Sequence, residues 1–249
     1  LTNIDWGGFC ESVLQAADNG YVCVGKNGSG KFFIIKYDSS GNRLWASQSN
    51  EGNASGFSSV QKTLDGGFLV SGWTINYGAG ADDILLVKFN SSGAYQWSRT
   101  VGGWNDEKAS NAVETSDGGY IISGWTRSFS TNGDADIYVV KLTSTRAISW
   151  SKVFDMSGGN DDWGNSVQPT SDGGYVVTGF NESSGNGYLI KLNSSGTVQW
   201  ARAIHSVATS FDGVIQTSDG GYAFIGMIRL SSGGLGYDDI IYGKFDSSG

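Results

Sequence analysis

One short motif returns five times along the 249-residue chain, and it constrains the fold more than any other feature. The motif is Asp-Gly-Gly-Tyr or a close variant, and it begins at Asp18, Asp65, Asp117, Asp172 and Asp219. Successive copies are 47, 52, 55 and 47 residues apart, and a step from the last copy past the end of the chain to the first is 48 residues. Such a period is typical of an array of equal structural units. Because the last step matches the others, the spacing favours a closed ring over an open solenoid.

Two further anchors accompany the motif. An apolar run ends in a lysine, and a tryptophan stands nine residues after that lysine, in the pairs Lys36–Trp45, Lys88–Trp97, Lys141–Trp150 and Lys191–Trp200. A fixed spacing predicts a tight hairpin that tolerates no insertion. The turn sequences at 38–41, 90–93 and 193–196 read Asx-Ser-Ser-Gly, in which Asx begins a turn and Gly accepts a left-handed backbone.

Each repeat therefore predicts four strands, which in the third copy are Ser110–Thr115, Tyr120–Gly124, Ile137–Leu142 and Ala147–Val153. Four short strands in a period of roughly 50 residues are typical of a propeller blade. No segment keeps a helical period, and a β-sandwich would not require five copies of one motif. We predict an all-β, five-bladed β-propeller of four-stranded antiparallel blades. One domain spans 1–249, with blades at about 10–50, 57–101, 109–154, 164–204 and 211–249 plus 1–6.

The pattern Asp-Gly-Gly-Tyr, then Asp-Ile-x-x-x-Lys, then Gly-x-x-x-Trp resembles the propeller repeats of secreted and cell-surface proteins of archaea and bacteria. The Gly-x-x-x-Trp end of each blade is also similar to that of PQQ-type propeller repeats. The resemblance covers nearly the whole chain and implies a fold, whereas propellers host many functions.

Ring closure depends on the N-terminal segment. The fifth repeat stops at Gly249, before its last strand, so residues Leu1–Ile4 are expected to supply that strand. The segment that joins the two ends is several residues shorter than its counterparts. Either the closing blade is trimmed, or the chain derives from a longer one, or a neighbouring molecule donates the strand and polymers form.

Composition limits the partners. The formal charge of −8 disfavours nucleic acid and anionic membranes, and no run of roughly 20 apolar residues predicts a membrane span. Only 16% of residues are charged, and Ser, Thr, Asn and Gly fill the surface instead. We therefore expect an extracellular or cell-surface protein whose partners are proteins, glycans or further copies of itself.

The two cysteines, Cys10 and Cys23, fall opposite each other on adjacent predicted strands. A cross-strand disulfide fits this placement and a secreted protein, while two buried free thiols are the alternative. Five Asn-x-Ser sequons occur. Asn90 and Asn193 lie in tight turns that explain them, whereas Asn27, Asn53 and Asn181 are glycosylation candidates.

No catalytic constellation stands out. The chain has a single histidine, His205, and lacks the Gly-x-Ser-x-Gly motif that would provide a serine nucleophile. A Ser-His-Asp triad is therefore not indicated. Acidic residues recur before the third strand of several repeats, at Asp82-Asp83, Asp134/Asp136 and Asp238-Asp239, and again at Asp161-Asp162. This recurrence argues for a structural role, such as capping of turn amides or pairing with the lysine, because catalysis needs inequivalent carboxylates.

Two weaker possibilities concern loops that end in acids. Gly158–Asp162 and Gly103–Asp106 offer oxygen ligands for Ca²⁺, although without the spacing of an EF-hand, so we expect no cofactor other than calcium. Trp73, Trp125, Trp104 and Trp163, with Asp106 and Asp162, form a candidate sugar-binding set, because aromatic rings stack on sugars and carboxylates bind hydroxyls. Packing between blades is the alternative for Trp73 and Trp125.

Uniform repeats without a catalytic set predict that the chain is not an enzyme. The expected function is an extracellular interaction or structural module, with a subunit of a surface assembly as one form of it. A lectin-like propeller is the first alternative and a glycoside hydrolase the second.

Overall fold

The computed structural model describes residues 8–29, 31–48, 55–156, 158–204, 209–230 and 237–249. Within these ranges the chain forms nineteen strands and no helix. The first nine strands are β1 (Gly8–Gln15), β2 (Tyr21–Asn27), β3 (Phe32–Tyr37), β4 (Arg43–Gln48), β5 (Ser55–Lys62), β6 (Phe68–Thr74), β7 (Asp83–Phe89), β8 (Tyr95–Val101) and β9 (Glu107–Glu114). The remaining ten are β10 (Tyr120–Thr126), β11 (Asp136–Leu142), β12 (Ile148–Phe154), β13 (Asp162–Pro169), β14 (Tyr175–Asn181), β15 (Asn186–Leu192), β16 (Val198–Ile204), β17 (Thr209–Gln216), β18 (Tyr222–Leu230) and β19 (Tyr237–Phe245).

The strands form five sheets, and the architecture is a five-bladed β-propeller, which confirms the predicted fold. Strands β1–β4, β5–β8, β9–β12 and β13–β16 make four-stranded sheets, and β17–β19 make a sheet that has three strands among the described residues. The predicted closure by Leu1–Ile4 falls outside the described residues. No described helix is long and apolar enough to cross a membrane.

The chain divides into two compact units, residues 1–118 and residues 119–249. In the first unit, Val22, Val24 and Ile34 of the first blade pack against Phe57 and Val70 of the second. Apolar side chains on both faces of these central strands explain the short continuous apolar runs of the sequence. Burial of such side chains is the main source of stability for these small sheets, which would be marginal alone.

The second unit repeats this arrangement between its last two blades. Val176 and Leu189 pack against Phe211, Val214 and Phe224. The rings of Phe211 and Phe224 lie 4.4 Å apart, centre to centre, in a tilted pair. The last strand of a blade is more exposed, since every residue of β12 and β16 is exposed or half-buried.

A buried lysine explains why the repeat motif begins with aspartate. The side chain of Lys88 is 3% exposed, and its Nζ donates to both carboxylate oxygens of Asp65 at 2.9 Å. Lys191 pairs in the same way with Asp172 at 2.8 Å. The expectation that the lysine pairs with the acids before the third strand is therefore wrong, because the aspartate of the Asp-Gly-Gly turn holds it.

The tryptophan anchor and the turn glycine are explained by packing between blades. Trp45 lies opposite Lys36 across the β3–β4 ladder, as the nine-residue spacing predicted. Gly93, in the turn of the following blade, has a φ of +81°, and a Cβ there would lie 2.7 Å from the Trp45 ring. Trp150 and Gly196 repeat the same contact in the second unit. Glycine is thus required twice at this turn, by backbone conformation and by the neighbouring ring.

Cys10 and Cys23 form a disulfide between β1 and β2, as predicted, with their Cα atoms 6.1 Å apart. Cys10 pairs with Gly25 in the ladder and Cys23 with Val13, so the bridge runs diagonally past a bulge in β1. It closes a short loop in the first blade.

Candidate functional site

Two carboxylates that begin neighbouring elements form the first candidate site, here called the acidic pair. Asp83 begins β7 and Glu107 begins β9, and the two side chains are 1% and 0% exposed. A Cβ on Gly102 would collide with Asp83 Oδ1 and with Glu107 Oε2, so both oxygens lie beside the same glycine. The acidic pair is therefore a close and buried arrangement of two like charges.

Backbone amides donate hydrogen bonds to one oxygen of each member of the acidic pair. Asp83 Oδ2 accepts from the amides of Ala79 at 3.1 Å and Gly80 at 3.4 Å, and Glu107 Oε2 accepts from the Gly103 amide at 2.6 Å. Asp83 Oδ1 is buried and has no hydrogen-bond partner. The exposed segment 75–81 therefore covers the pair through two backbone amides.

The surroundings of Asp83 favour its protonated form. Burial raises the pKa of Asp83 above its ordinary value of 3.8. The Gly80 and Ala79 amides oppose this rise, while the charges of Glu107 and Asp82 raise the pKa further. Repulsion between two carboxylates this close disfavours full ionisation of both, in line with the raised pKa of Asp83.

Aromatic and charged side chains surround the acidic pair at the surface. Trp104 is 85% exposed, and its carbonyl packs against Gly80 of the covering segment. Asp106 Oδ1 accepts from the Asp82 amide at 3.1 Å. Lys108 pairs with Asp82 at 2.8 Å. Trp104 is therefore an exposed residue whose backbone contacts the segment that covers the acidic pair, and its sugar-binding role stays a prediction.

Lys108 also contacts Trp73, the other tryptophan of this unit that was predicted to bind sugar. Its Nζ lies 4.1 Å from the centre of the half-buried Trp73 ring. A cation over the ring face stabilises this position and covers the ring. The structure thus favours packing over sugar stacking for Trp73.

Three carboxylates at the equivalent place in the second unit form the second candidate site, here called the acidic triad. Asp136 begins β11, Asp162 begins β13, and Asp155 follows β12 directly. One carboxylate oxygen from each lies within 4.8 Å of the others. Asp136 and Asp162 are buried, whereas Asp155 is exposed. The triad has the composition of a site for a hard divalent cation.

The electrostatics of the triad are unfavourable for three negative charges. Burial raises the pKa of Asp136 from 3.8 to about 6. A hydrogen bond from Ser130 opposes the rise, and the charges of Asp134, Asp155 and Asp162 add to it. Three carboxylates in this space repel one another, and a bound cation would relieve that repulsion.

The two sites show that the repeats are not equivalent. Asp83 and Asp136 occupy one repeat position, Glu107 and Asp162 a second, and Gly102 and Asp155 a third. In the next blade, Asn186 and Thr209 begin the corresponding strands and carry no charge. Inequivalent carboxylates, which uniform repeats had argued against, are therefore present.

The other predicted ring positions are largely packed. Trp125 is 9% exposed, and its ring meets that of Trp163 edge to face at 4.8 Å. Trp163 is half-buried in β13, so the expectation that it stands in a surface loop is wrong. Asp162 is fully buried and belongs to the acidic triad. The strand begins earlier than predicted, which brings both residues into the sheet.

The structure bears on only some of the residues considered for glycosylation or as a catalytic histidine. Asn181 is fully buried, and its amide donates to Asp161 O at 3.1 Å and to Asp162 Oδ1 at 3.0 Å, which argues against a glycan there. Asn27 is half-buried and stays a candidate. Asn53 and His205 fall outside the described residues.

Sequence reasoning missed Glu107 and Asp155 as site residues and treated Asp83 and Asp136 as purely structural. Glu107 was missed because the strand was expected to begin at Ser110, three residues late. The signal for Asp155 was available, since an aspartate replaces the glycine that follows the last strand of the preceding blade.

No protein-family profile and no characterised protein matches the chain in sequence. Solved structures do match the fold. A GH43 β-1,3-galactosidase in complex with galactodeoxynojirimycin is 9% identical over 95% of this chain and 90% of its own, with a TM-score of 0.50. A protein from Bifidobacterium bifidum assigned as an exo-β-1,3-galactanase is 12% identical over 94% of this chain and 86% of its own, with a TM-score of 0.51. These likenesses define the class as a five-bladed β-propeller.

The comparisons correct the functional prediction. A non-enzymatic interaction or structural module was expected, and with it no enzyme, yet the similar solved structures are described as glycoside hydrolases. The physical premise also fails, because the positions of Asp83 and Glu107 carry Asp136 and Asp162 in the following blade but uncharged Asn186 and Thr209 in the one after it. Uniformity of the sequence motif had concealed differences at the strand ends.

Proposed function

We propose that this chain is a glycoside hydrolase and that the acidic pair of Asp83 and Glu107 carries the reaction. The single observation on which the proposal rests is a close carboxylate pair in which burial raises the pKa of one member, Asp83. Glycosidases use two carboxyl groups, one to protonate the leaving oxygen and one to act as base or nucleophile. The shared fold of the galactosidase and the galactanase supports the proposal by analogy.

The roles follow from the environments of the two side chains. Asp83, with its raised pKa, donates a proton to the glycosidic oxygen. Glu107, whose Oε2 lies beside the same glycine as Asp83 Oδ1, acts as the nucleophile. Retaining enzymes place their two carboxyl groups about 5 Å apart, and this is the arrangement we propose for the acidic pair.

Substrate reaches the pair by displacing the covering segment. Residues 75–81 are exposed, and amides of Ala79 and Gly80 hold them to Asp83. A sugar hydroxyl replaces these donors, while the exposed ring of Trp104 stacks on an adjacent sugar. We include among substrates β-1,3-linked galacto-oligosaccharides, the class named for the two similar structures.

The test is hydrolysis of a panel of oligosaccharides that includes β-1,3-linked galactosides, followed by chromatography of the products. Asp83→Asn and Glu107→Gln should each lower turnover by about 10²–10⁴-fold, the usual contribution of a catalytic carboxyl group. Glu11→Gln is the control, because Glu11 is an exposed glutamate of the same unit. Circular dichroism verifies that each variant folds.

The outcomes separate the alternatives. Turnover with retained anomeric configuration that disappears in both variants supports the proposal. No turnover on a broad panel overturns it, as does turnover that both variants keep. Binding of an oligosaccharide that Trp104→Ala abolishes, without any hydrolysis, would instead establish the lectin-like alternative.

We also propose that the protein works outside the cytoplasm and belongs with the repeat propellers of secreted and cell-surface proteins. The disulfide between Cys10 and Cys23 supports this location, since such bonds persist in oxidising compartments. Mass spectrometry of the natural protein, with and without reduction, tests it. A fully reduced Cys10–Cys23 pair in native extracts would contradict it.

A further inference from the structure

The acidic triad brings three carboxylates together in a space that leaves one of their oxygens without a protein partner. Oxygens of Asp136, Asp155 and Asp162 lie within 4.8 Å of one another. Asp136 is 1% exposed, and its Oδ1 is buried and accepts no hydrogen bond. Asp134 Oδ2, close enough for its charge to raise the pKa of Asp136, is likewise buried and unpartnered. Orphaned carboxylate oxygens in a buried site are costly, so they point to a missing ligand.

Asp162 of the triad and the neighbouring Arg127 are each held by other groups of the protein. Asp162 Oδ2 accepts from the Met156 amide at 2.7 Å, and its Oδ1 accepts from the Asn181 amide group at 3.0 Å. These two bonds fix the carboxylate at the start of β13. The neighbouring cation, Arg127, is engaged elsewhere, since it pairs with Asp161 at 2.8 Å.

We propose that Asp136, Asp155 and Asp162 bind one calcium ion. Ca²⁺ takes oxygen ligands at about 2.3–2.6 Å, so two ligands on opposite sides of the ion are about 4.8 Å apart. The carboxylate oxygens of the triad lie within this limit, so one calcium ion can reach all three. The smaller Mg²⁺, at about 2.0–2.1 Å, requires a narrower octahedral site and keeps more of its water. The exposed Asp155 gives the ion a route from solvent and leaves positions for water ligands.

The first unit supplies an internal comparison. The acidic pair has glycine at position 102, where the triad has Asp155. Two carboxylates relieve their repulsion by sharing one proton, whereas a third adds a charge that one proton does not offset. The two sites therefore differ at two positions, Gly102 against Asp155 and Glu107 against Asp162, and only the second site brings three carboxylates together. The calcium proposal does not rest on the proposed hydrolase activity, because the two concern different residues.

The experiment is calorimetric titration of the full chain, freed of metal by a chelator, with calcium chloride and separately with magnesium chloride. We expect one calcium ion per chain and at least tenfold weaker binding of magnesium. Thermal unfolding in parallel should show a melting temperature that rises with calcium concentration, because the ion binds only the folded state.

Two variants locate the site. Asp155→Asn changes an exposed residue without altering its shape, and Asp136→Asn changes the residue with the orphaned oxygen. Each should weaken calcium binding at least tenfold. In chelator, each should also melt at a higher temperature than the original chain, because one of the mutually repelling charges is gone. Asp212→Asn, at an exposed aspartate of the same unit, is the matched control and should change neither measurement.

The melting temperatures of the variants distinguish a metal site from a merely structural cluster, because a metal site predicts a higher melting temperature in chelator and a smaller rise with calcium. Variants that melt higher in chelator and lose the calcium-dependent rise support the proposal. A chain that binds no calcium overturns it, and so does calcium binding that both Asp155→Asn and Asp136→Asn leave unchanged.

Discussion

The Nζ atom of Lys88 lies 2.9 Å from each carboxylate oxygen of Asp65, and this ion pair joins a buried strand to an exposed turn. The same nitrogen donates to the carbonyl of Phe89 at 3.0 Å and to Gln96 Oε1 at 3.0 Å. A lysine with this many acceptors is fully satisfied although its side chain is almost wholly buried. The pair explains why an aspartate and a lysine recur together in the repeat.

Removal of the carboxylate should destabilise the fold more than removal of the ammonium group. Asp65→Asn leaves a buried charge with weakened compensation and should cost about 1–3 kcal/mol of unfolding free energy. Lys88→Met leaves only a half-exposed carboxylate, which water can solvate, and should cost less. Urea unfolding of the two variants measures the order, and a larger loss for Lys88→Met would contradict it.

Stability should fall at acid pH through the turn aspartates. Although burial opposes it, hydrogen bonds from Thr63 and Lys88 lower the pKa of Asp65 from 3.8 to about 2. Although burial again opposes it, hydrogen bonds from Lys191 and Thr170 lower the pKa of Asp172 to about 2. Because the folded pKa lies below the unfolded value, this stabilisation is complete above about pH 4 and is lost as pH falls toward 2. Melting temperatures between pH 6 and 2 should fall less steeply in a chain with both Asp65→Asn and Asp172→Asn.

The packing role of the turn glycine is separable from its backbone role. Gly41 and Gly93 have φ angles of +84° and +81°, but only Gly93 lies against a ring, that of Trp45. Gly41→Ala therefore carries only the left-handed backbone penalty, about 1–2 kcal/mol. Gly93→Ala adds overpacking, about 1–3 kcal/mol more. Equal losses in chemical unfolding would show that the ring contact contributes nothing.

Reduction of the disulfide should lower the melting temperature of the chain. The bridge spans a sequence separation of 13 residues, and a loop of about 15 residues contributes about 3 kcal/mol by restricting the unfolded state. A thiol reductant should thus destabilise the original chain but not a variant with both Cys10→Ala and Cys23→Ala. A reductant effect of the same size on both chains would exclude the bridge as its cause.

The sequence predicted the fold well because the fold depends on features that recur. Each recurring feature fixes one local contact: Lys36 pairs with Trp45, Asp65 with Lys88, and Gly93 packs on the Trp45 ring. The spacing of these features indicates the order of the strands. The acidic sites could not be predicted in the same way. Asp83 and Glu107 are 24 residues apart and meet only because two blades bring their strand ends together.

The exchange of Gly102 for Asp155 has a consequence for how such chains diversify. Both residues follow the last strand of a blade, where the ladder has ended, so a substitution there leaves the sheet hydrogen bonds intact. Duplicated modules can in this way differ in chemistry while every copy keeps the same scaffold. At Gly102 itself such an exchange would also require the neighbouring carboxylates to move, because a Cβ there collides with Asp83 Oδ1 and Glu107 Oε2.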